Sequence, residues 1–279
     1  MAMRVGIIGL GLMGASLGLA LRAARPDLEL VGTDPDPATM ARALARGIVA
    51  AGDPAAADVV VIAAPIPALP EVLTGLAGRA GVVTDVASTK GRVMRWAAAA
   101  GVDLVGGHPM CGSELAGIDA ADPGLFAGAP WVLTRDEPLV TSLVRAVGAV
   151  PMVMDAERHD RLVAGVSHAA FMLSAAYVLA LAGDGEWAAM QEVAGPGFRD
   201  VSRLAAGDPE LYAAIASTNR ERIVESVRTV EASLARLRRH LEAGDGRLVE
   251  LFEEARGSRE RWRHRRETVG ADPVGSRDA

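Results

Sequence analysis

The sequence is short of several residue types, and each shortage narrows the reading. A single cysteine, Cys111, in 279 residues excludes an internal disulfide and fits a reducing compartment, so a cytoplasmic location is expected. Aromatic residues make up 4% of the chain, and a formal net charge of −6 gives nucleic acid no electrostatic footing. The basic stretch Arg259–Arg266 alternates with Glu260 and Glu267 and reads as a solvated helix face. The apolar N-terminal stretch is broken by glycines and lacks a cleavage site, so no signal peptide is expected. Val163–Leu181 approaches membrane-span length, but Ser167, His168, Ser174 and Tyr177 interrupt it; it reads as a buried helix, and no membrane partner is expected. No metal is expected either. Lysine is almost missing: among 29 basic residues only Lys90 is one. It marks either a position that needs a compact ammonium or a survivor of biased composition, and the sequence leaves both open.

What is abundant is apolar residues, at 50%, and glycine, at 31 residues. The apolar content supports one large or two medium cores. Near the start, Val5–Ile8 reads as a buried parallel strand leading into Gly9-x-Gly11-x-x-Gly14, with Leu12 and Met13 opening an Ala/Leu-rich helix. In this pattern Gly9 makes the tight turn, Gly11 lets a pyrophosphate approach the backbone, and Gly14 lets the helix lie close on the strand. Glu29–Thr33 reads as a second strand ending at Asp34, a carboxylate placed for an adenine-ribose diol and repulsive to a 2′-phosphate. NAD is therefore expected, and NADP less so.

Residues 1–154 alternate strand and helix signals, with further strands at Asp58–Ala64, Val82–Val86, Trp131–Thr134 and Met152–Met154. The expected fold class is α/β: an N-terminal Rossmann-type doubly wound parallel sheet, then an all-α C-terminal domain over 155–267 and a flexible tail over 268–279. Ligands of such sheets lie beyond the strands' carboxyl ends. That singles out three loops: Ala64-Pro65-Ile66-Pro67, Asp85–Lys90, and Gly106–Gly112 with His108 in it. In the helical half, Arg158–Leu181 reads as a helix. Another of more than 30 residues runs from an Asp208 cap to Gly244, long enough to pack against a partner subunit in a homodimer.

His108 is the leading general base for an alcohol oxidised by a nicotinamide, because imidazole takes a proton near neutral pH. Ser88 either positions the reacting groups or merely caps the following helix. Arg199 or Arg203 offers a guanidinium to an anionic substrate. His168 alone reads as a core histidine.

Taken together, the segments Gly6–Leu17, Val83–Gly91, Gly106–Ala121, Ser167–Ala176 and Gly197–Tyr212 resemble, in the same order, the prephenate and arogenate dehydrogenases of tyrosine biosynthesis. The resemblance implies an NAD-dependent oxidative decarboxylation of a small-molecule substrate, prephenate or arogenate, with no regulatory domain or fused mutase. It implies His108 as the acceptor of the ring-hydroxyl proton and Ser88 as a hydrogen-bonding partner of hydroxyl and nicotinamide. It also implies Arg203 on a substrate carboxylate, Glu114 at the pocket mouth, Tyr212 reaching toward the partner's site, and Asp160 with His168 shaping the pocket. Gly9, Gly11, Leu12, Met13, Gly14, Asp34, Ala64, Pro65 and Ser88 make up the cofactor-binding set. Many members carry a second histidine where this chain has Phe171, which leaves prephenate against arogenate open. A β-hydroxyacid dehydrogenase and a non-catalytic NAD-sensing protein are the alternatives; the first is expected to use a lysine in the second domain, and none follows Lys90.

Overall fold

Strand β1 (Arg4–Ile8) enters a tight glycine turn and helix α1 (Leu12–Ala24), followed by β2 (Glu29–Thr33) and α2 (Pro37–Ala45). The chain continues through β3 (Val59–Ile62), α3 (Leu69–Gly75), β4 (Val82–Asp85), α4 (Gly91–Ala99) and β5 (Leu104–Val105). This computed structural model describes residues 2–79, 81–112 and 115–268. The five strands form an all-parallel sheet in the order β2-β1-β3-β4-β5. β3, Val59-Val60-Val61-Ile62, is buried at every residue, as a central parallel strand covered on both faces must be. Strand order reverses between β1 and β3, so the ligand crevice opens beyond their carboxyl ends, at Gly9 and Ala63–Ala64.

The expected parallel sheet is present, with a second, smaller sheet that the sequence reading misses. Gly106–Gly112 is not simply a loop: Gly107–Pro109 is strand β6, antiparallel to β7 (Pro130–Leu133). Helix α5 (Pro138–Ala146) then leads to β8 (Val150–Val153), parallel to β7. The cause is the close passage at Gly106, where a Cβ would meet Thr134 Cγ2 at 2.8 Å while the N–H donates to Thr134 Oγ1 at 2.8 Å. There the chain steps from one sheet to the next.

Beyond Val153 every described element is helical. α6 (Ala156–Val163), a π-turn (Ala164–His168) and α7 (Ala169–Ala182) form one continuous helix. α8 (Trp187–Val193), α9 (Pro196–Ser202), a 3-10 turn (Arg203–Ala206), α10 (Pro209–Thr218), α11 (Arg220–Ala243) and α12 (Leu248–Thr268) follow. Two expectations are corrected here. The single helix expected from Asp208 is broken into α10 and α11 at Asn219, whose backbone (φ −127°, ψ 30°) leaves the helical region while its amide is buried and hydrogen-bonded; asparagine competes well with helix in this way. The apolar helix 156–182 is not buried by this chain alone. It is long and apolar enough to cross a membrane by composition, yet only 28% of its most apolar window is covered, and Val166, Leu173, Tyr177 and Leu179 are exposed. The tail beyond Thr268 lies outside the described residues.

Each face of the large sheet carries its own core. One packs Val5, Ile7, Leu21 and Val61 with Phe126, Trp131 and Val144. The other packs Val60, Ile62, Leu73, Val83 and Leu104 with Ala164, Ile215 and Ile223 from the helical half, so the two halves share a core.

Candidate active site

The nucleotide crevice is built by the first βα turn. Gly9 has φ +93°, and a Cβ there would meet Ala63 O at 2.6 Å; at Gly14 it would meet Gly9 O at 1.9 Å. At Gly11 it would meet nothing within 4 Å: the space in front of the turn is open. α1 starts at Leu12 with no side-chain cap and no acidic residue in its first turn, which leaves the first N–H groups of Leu12, Met13 and Gly14 to a phosphate. Asp34, just past β2, accepts from Leu10 N–H at 2.7 Å and Asp36 N–H at 2.9 Å, which fixes its carboxylate beside the turn. Arg42 is engaged with Asp119 at 2.9 Å and gives no welcome to a 2′-phosphate. Ala64 and Pro65 follow β3 on the same edge. The fit to a dinucleotide rests on these features of the chain itself.

His108 lies on β6, 8% exposed. Its Nδ1 is 2.8 Å from Nε2 of the fully buried His159, whose Nδ1 is 2.8 Å from Asp160 Oδ1. The network sets the protons. Burial pushes the Asp160 carboxyl up, but hydrogen bonds from His159 and from the N–H groups of Lys90 and Gly91 outweigh it and hold it below the usual carboxylate range. An ionised Asp160 takes the Nδ1–H of His159; in the neutral ring Nε2 is then the acceptor, and His108 Nδ1 donates to it. That leaves the lone pair on His108 Nε2, which has no hydrogen bond among the described residues. Burial, then the nearby His159, Lys90 and His168, keep the His108 ring well below its ordinary value and hence neutral. A neutral imidazole with an unshared, oriented lone pair has what general-base chemistry requires.

Lys90 resolves the question its rarity raised. It is wholly buried, and its Nζ is ion-paired with the equally buried Asp85 and donates to Gly107 O at 2.6 Å. Asp85 in turn accepts from Gly107 N–H at 2.9 Å and Ala87 N–H at 3.0 Å. Carboxylate and ammonium thus grip both backbone groups of the residue before His108. Burial pulls the ammonium down, and Asp85, then Asp160, oppose it. A planar guanidinium has no comparable fit to one carbonyl and one carboxylate oxygen.

Ser88 is half-buried on the loop after β4 and does not cap α4. The cap comes from across the molecule: Asp160 accepts from Lys90 N–H at 2.7 Å and Gly91 N–H at 2.8 Å. His168, at the end of the π-turn, is not a satisfied core histidine. Its Nε2 is buried without a partner among the described residues, while its Nδ1 is 3.3 Å from the amide nitrogen of Asn219. One turn on, Phe171 stacks on Tyr212 with ring centroids 3.5 Å apart and planes 8° apart. Burial raises the Tyr212 phenol, and the charge of the exposed Arg203 opposes this. Arg199 is paired with Asp200 at 3.0 Å on the surface, so of the two candidate arginines Arg203 is the one whose charge acts on Tyr212. Glu114 lies outside the described residues. Sequence reasoning misses His159, Asp85 and Asn219. His159 looks like any polar residue at a helix start, and only its adjacency to Asp160 hinted at it.

A glycine-turn crevice on a parallel sheet, with a buried, neutral histidine on the smaller sheet that adjoins it at β4, defines a dinucleotide-dependent dehydrogenase. Sequence models of the prephenate dehydrogenase nucleotide-binding domain and dimerization domain match residues 17–153 and 155–254. Prephenate dehydrogenase of Lactococcus lactis is 30% identical over 269 residues, covering 91% of this chain and 76% of that one. Among solved structures, Synechocystis arogenate dehydrogenase superposes with a TM-score of 0.80 at 30% identity, over 93% of this chain and 100% of that one. Prephenate dehydrogenase from A. aeolicus in complex with hydroxyphenyl propionate and NAD+ gives a TM-score of 0.86 at 26% identity, over 94% and 98%. The chain belongs to the prephenate dehydrogenase family, and it is an NAD-dependent oxidoreductase with a Rossmann-type domain.

Proposed function

We propose that this chain converts prephenate to 4-hydroxyphenylpyruvate, with CO2 as the second product, in tyrosine biosynthesis. The observation that carries the reading is the file Asp160–His159–His108, which ends in an unshared Nε2 lone pair on the strand that adjoins β4 of the nucleotide-binding sheet. His108 Nε2 takes the ring-hydroxyl proton, and His159 and Asp160 steady the imidazolium that forms. When bound, NAD+ supplies the acceptor for the hydride leaving C4. Loss of the C1 carboxylate as CO2 then makes the ring aromatic and the reaction one-way. Ser88, on the adjoining loop, hydrogen-bonds the hydroxyl and the nicotinamide; Arg203 and His168 hold substrate oxygens, Tyr212 reaches toward the partner's site, and Glu114 is the further carboxylate that the family resemblance assigns to the pocket. Gly9, Gly11, Leu12, Met13, Gly14, Asp34, Ala64 and Pro65 form the cofactor site.

Residues 1–154 serve as the NAD-binding half and 155–267 as the substrate and dimerisation half. A cytoplasmic homodimer would cover the exposed apolar residues of α7 and α11, among them Leu179, Leu234 and Leu241. Phe171, which presents no polar group to the substrate side chain, supports arogenate as the second reading. Parallel assays of the purified chain with NAD+ or NADP+ and each substrate decide it: NADH and 4-hydroxyphenylpyruvate from prephenate are expected. Inactivity with both substrates would turn the reading toward an NAD sensor. Arg203→Ala is expected to raise KM by about tenfold or more, the worth of one charge-assisted hydrogen bond, and an unchanged KM would remove it from the pocket.

A further inference from the structure

Asn219 stands where one long helix divides into α10 and α11, and it is 5% exposed. Its amide nitrogen donates to Asp160 O at 2.8 Å and lies 3.3 Å from His168 Nδ1. A backbone carbonyl only accepts, so the amide must turn its NH2 toward Asp160. The same NH2 then faces His168, and it can only donate. Nδ1 of His168 must therefore carry the lone pair, and the ring proton must sit on Nε2. That Nε2 is 2% exposed as a residue and has no partner among the described residues. A buried donor left unpaired is costly, and the usual compensation at a site is a ligand. The ring belongs to that site: its charge acts on His108, and the charges of Asp160 and His159 act on it. It also ends a π-turn, a feature frequent where helices carry function.

We propose that Asn219 is a positioning residue that locks His168 as the Nε2–H form, so that His168 presents a hydrogen-bond donor to a carboxylate or hydroxyl oxygen of the substrate beside His108. The lock follows from the chain alone; the substrate oxygen rests on the reaction proposed above. An ammonium cannot accept this bond, so the position selects an oxygen. Asn219 also ties the carbonyl of Asp160 to the same amide, so one side chain registers the substrate donor against the residue that anchors the base.

Long-range 1H–15N correlation spectra of the full-length, histidine-labelled protein read the tautomer directly. His168 is expected to show a protonated Nε2 and an unprotonated Nδ1. Asn219→Asp, which offers an acceptor, is expected to move the proton to Nδ1 and raise KM by about tenfold or more while kcat changes little, as for one lost hydrogen bond to a charged group. In a His168→Gln background, whose amide donates whatever its neighbour is, Asn219→Asp should add nothing, whereas a purely structural role would cost the same in both backgrounds. A wild-type spectrum with the proton on Nδ1 overturns the lock, even if Asn219→Asp fails to fold, and additive effects in the double variant overturn the link to substrate. An Nε2–H tautomer in a wild type that is inactive with both substrates would support the lock and sink the reaction.

Discussion

His108 Nδ1 and His159 Nε2 lie 2.8 Å apart, with ring planes at 75°, so one imidazole orients the other edge to face. His108→Ala is expected to cut turnover by on the order of 10²-fold or more with NAD+ affinity nearly intact, the usual worth of a positioned base. His159→Leu removes the acceptor that fixes the base's tautomer and is expected to lower kcat by a similar order with KM little changed. Because the two act as a unit, the double variant should be no slower than His108→Ala alone. Steady-state kinetics on the four proteins test this, and additive losses would separate the two rings.

The pH profile follows from burial. The proposed base, His108, works as its neutral form, and its folded value lies well below the ordinary 6.5, pushed down by burial and then by His159, Lys90 and His168. The acid limb of kcat/KM is therefore expected below pH 6.5, with activity lost only as pH falls through the depressed value. Stability shifts in the same sense. His168 is held at about 4 by burial, so between about 6.5 and about 4 the unfolded chain binds a proton that the folded chain refuses, and stability falls with falling pH across that window. Urea titrations at stepped pH should show the slope in the wild type and a smaller one in His168→Gln.

Lys90→Met keeps the apolar stem but leaves Asp85 a buried, uncompensated charge. A loss of about 3–5 kcal/mol is expected, the scale for breaking a buried pair from one side. Adding Asp85→Asn should recover part of it. Chemical denaturation measures both, and a neutral Lys90→Met would refute a gripping role for the pair.

Two glycines of the nucleotide turn are separable. Gly14→Ala drives a Cβ to 1.9 Å from Gly9 O and is expected to lower the melting temperature even without cofactor. Gly11→Ala meets no atom of the chain, so the melting temperature should hold while NAD+ titration shows affinity falling by about tenfold or more, as a methyl occupies the approach of the pyrophosphate. Equal behaviour of the two variants would contradict the division of labour.

How legible all this is from sequence depends on distance along the chain. The nucleotide turn is local: Gly9, Gly11 and Gly14 span six residues, and Asp34 follows at the end of the next strand, so spacing alone carries the argument. The alternation of β1 to β5 with helices is likewise written in short apolar runs. The base is harder. His108 stands out by its glycine-rich setting, but its strand depends on pairing with Pro130–Leu133 more than twenty residues later. His159 is 51 residues from His108, and Asn219 is 51 from His168; nothing in local pattern joins them. The helix that should have run unbroken through residue 219 yields there to a buried amide, because tertiary hydrogen bonds outweigh the weak preference of one residue for helix.

The carboxylate of Asp160 serves as the missing N-terminal cap of α4, a helix that begins 69 residues earlier. A redesign that grafts this nucleotide-binding half onto a foreign helical half would therefore inherit an open helix end as well as a disconnected histidine. The two modules are exchangeable only if the His159–Asp160 pair travels with the graft, and the seam of any working chimaera falls before residue 159 or keeps that pair in place.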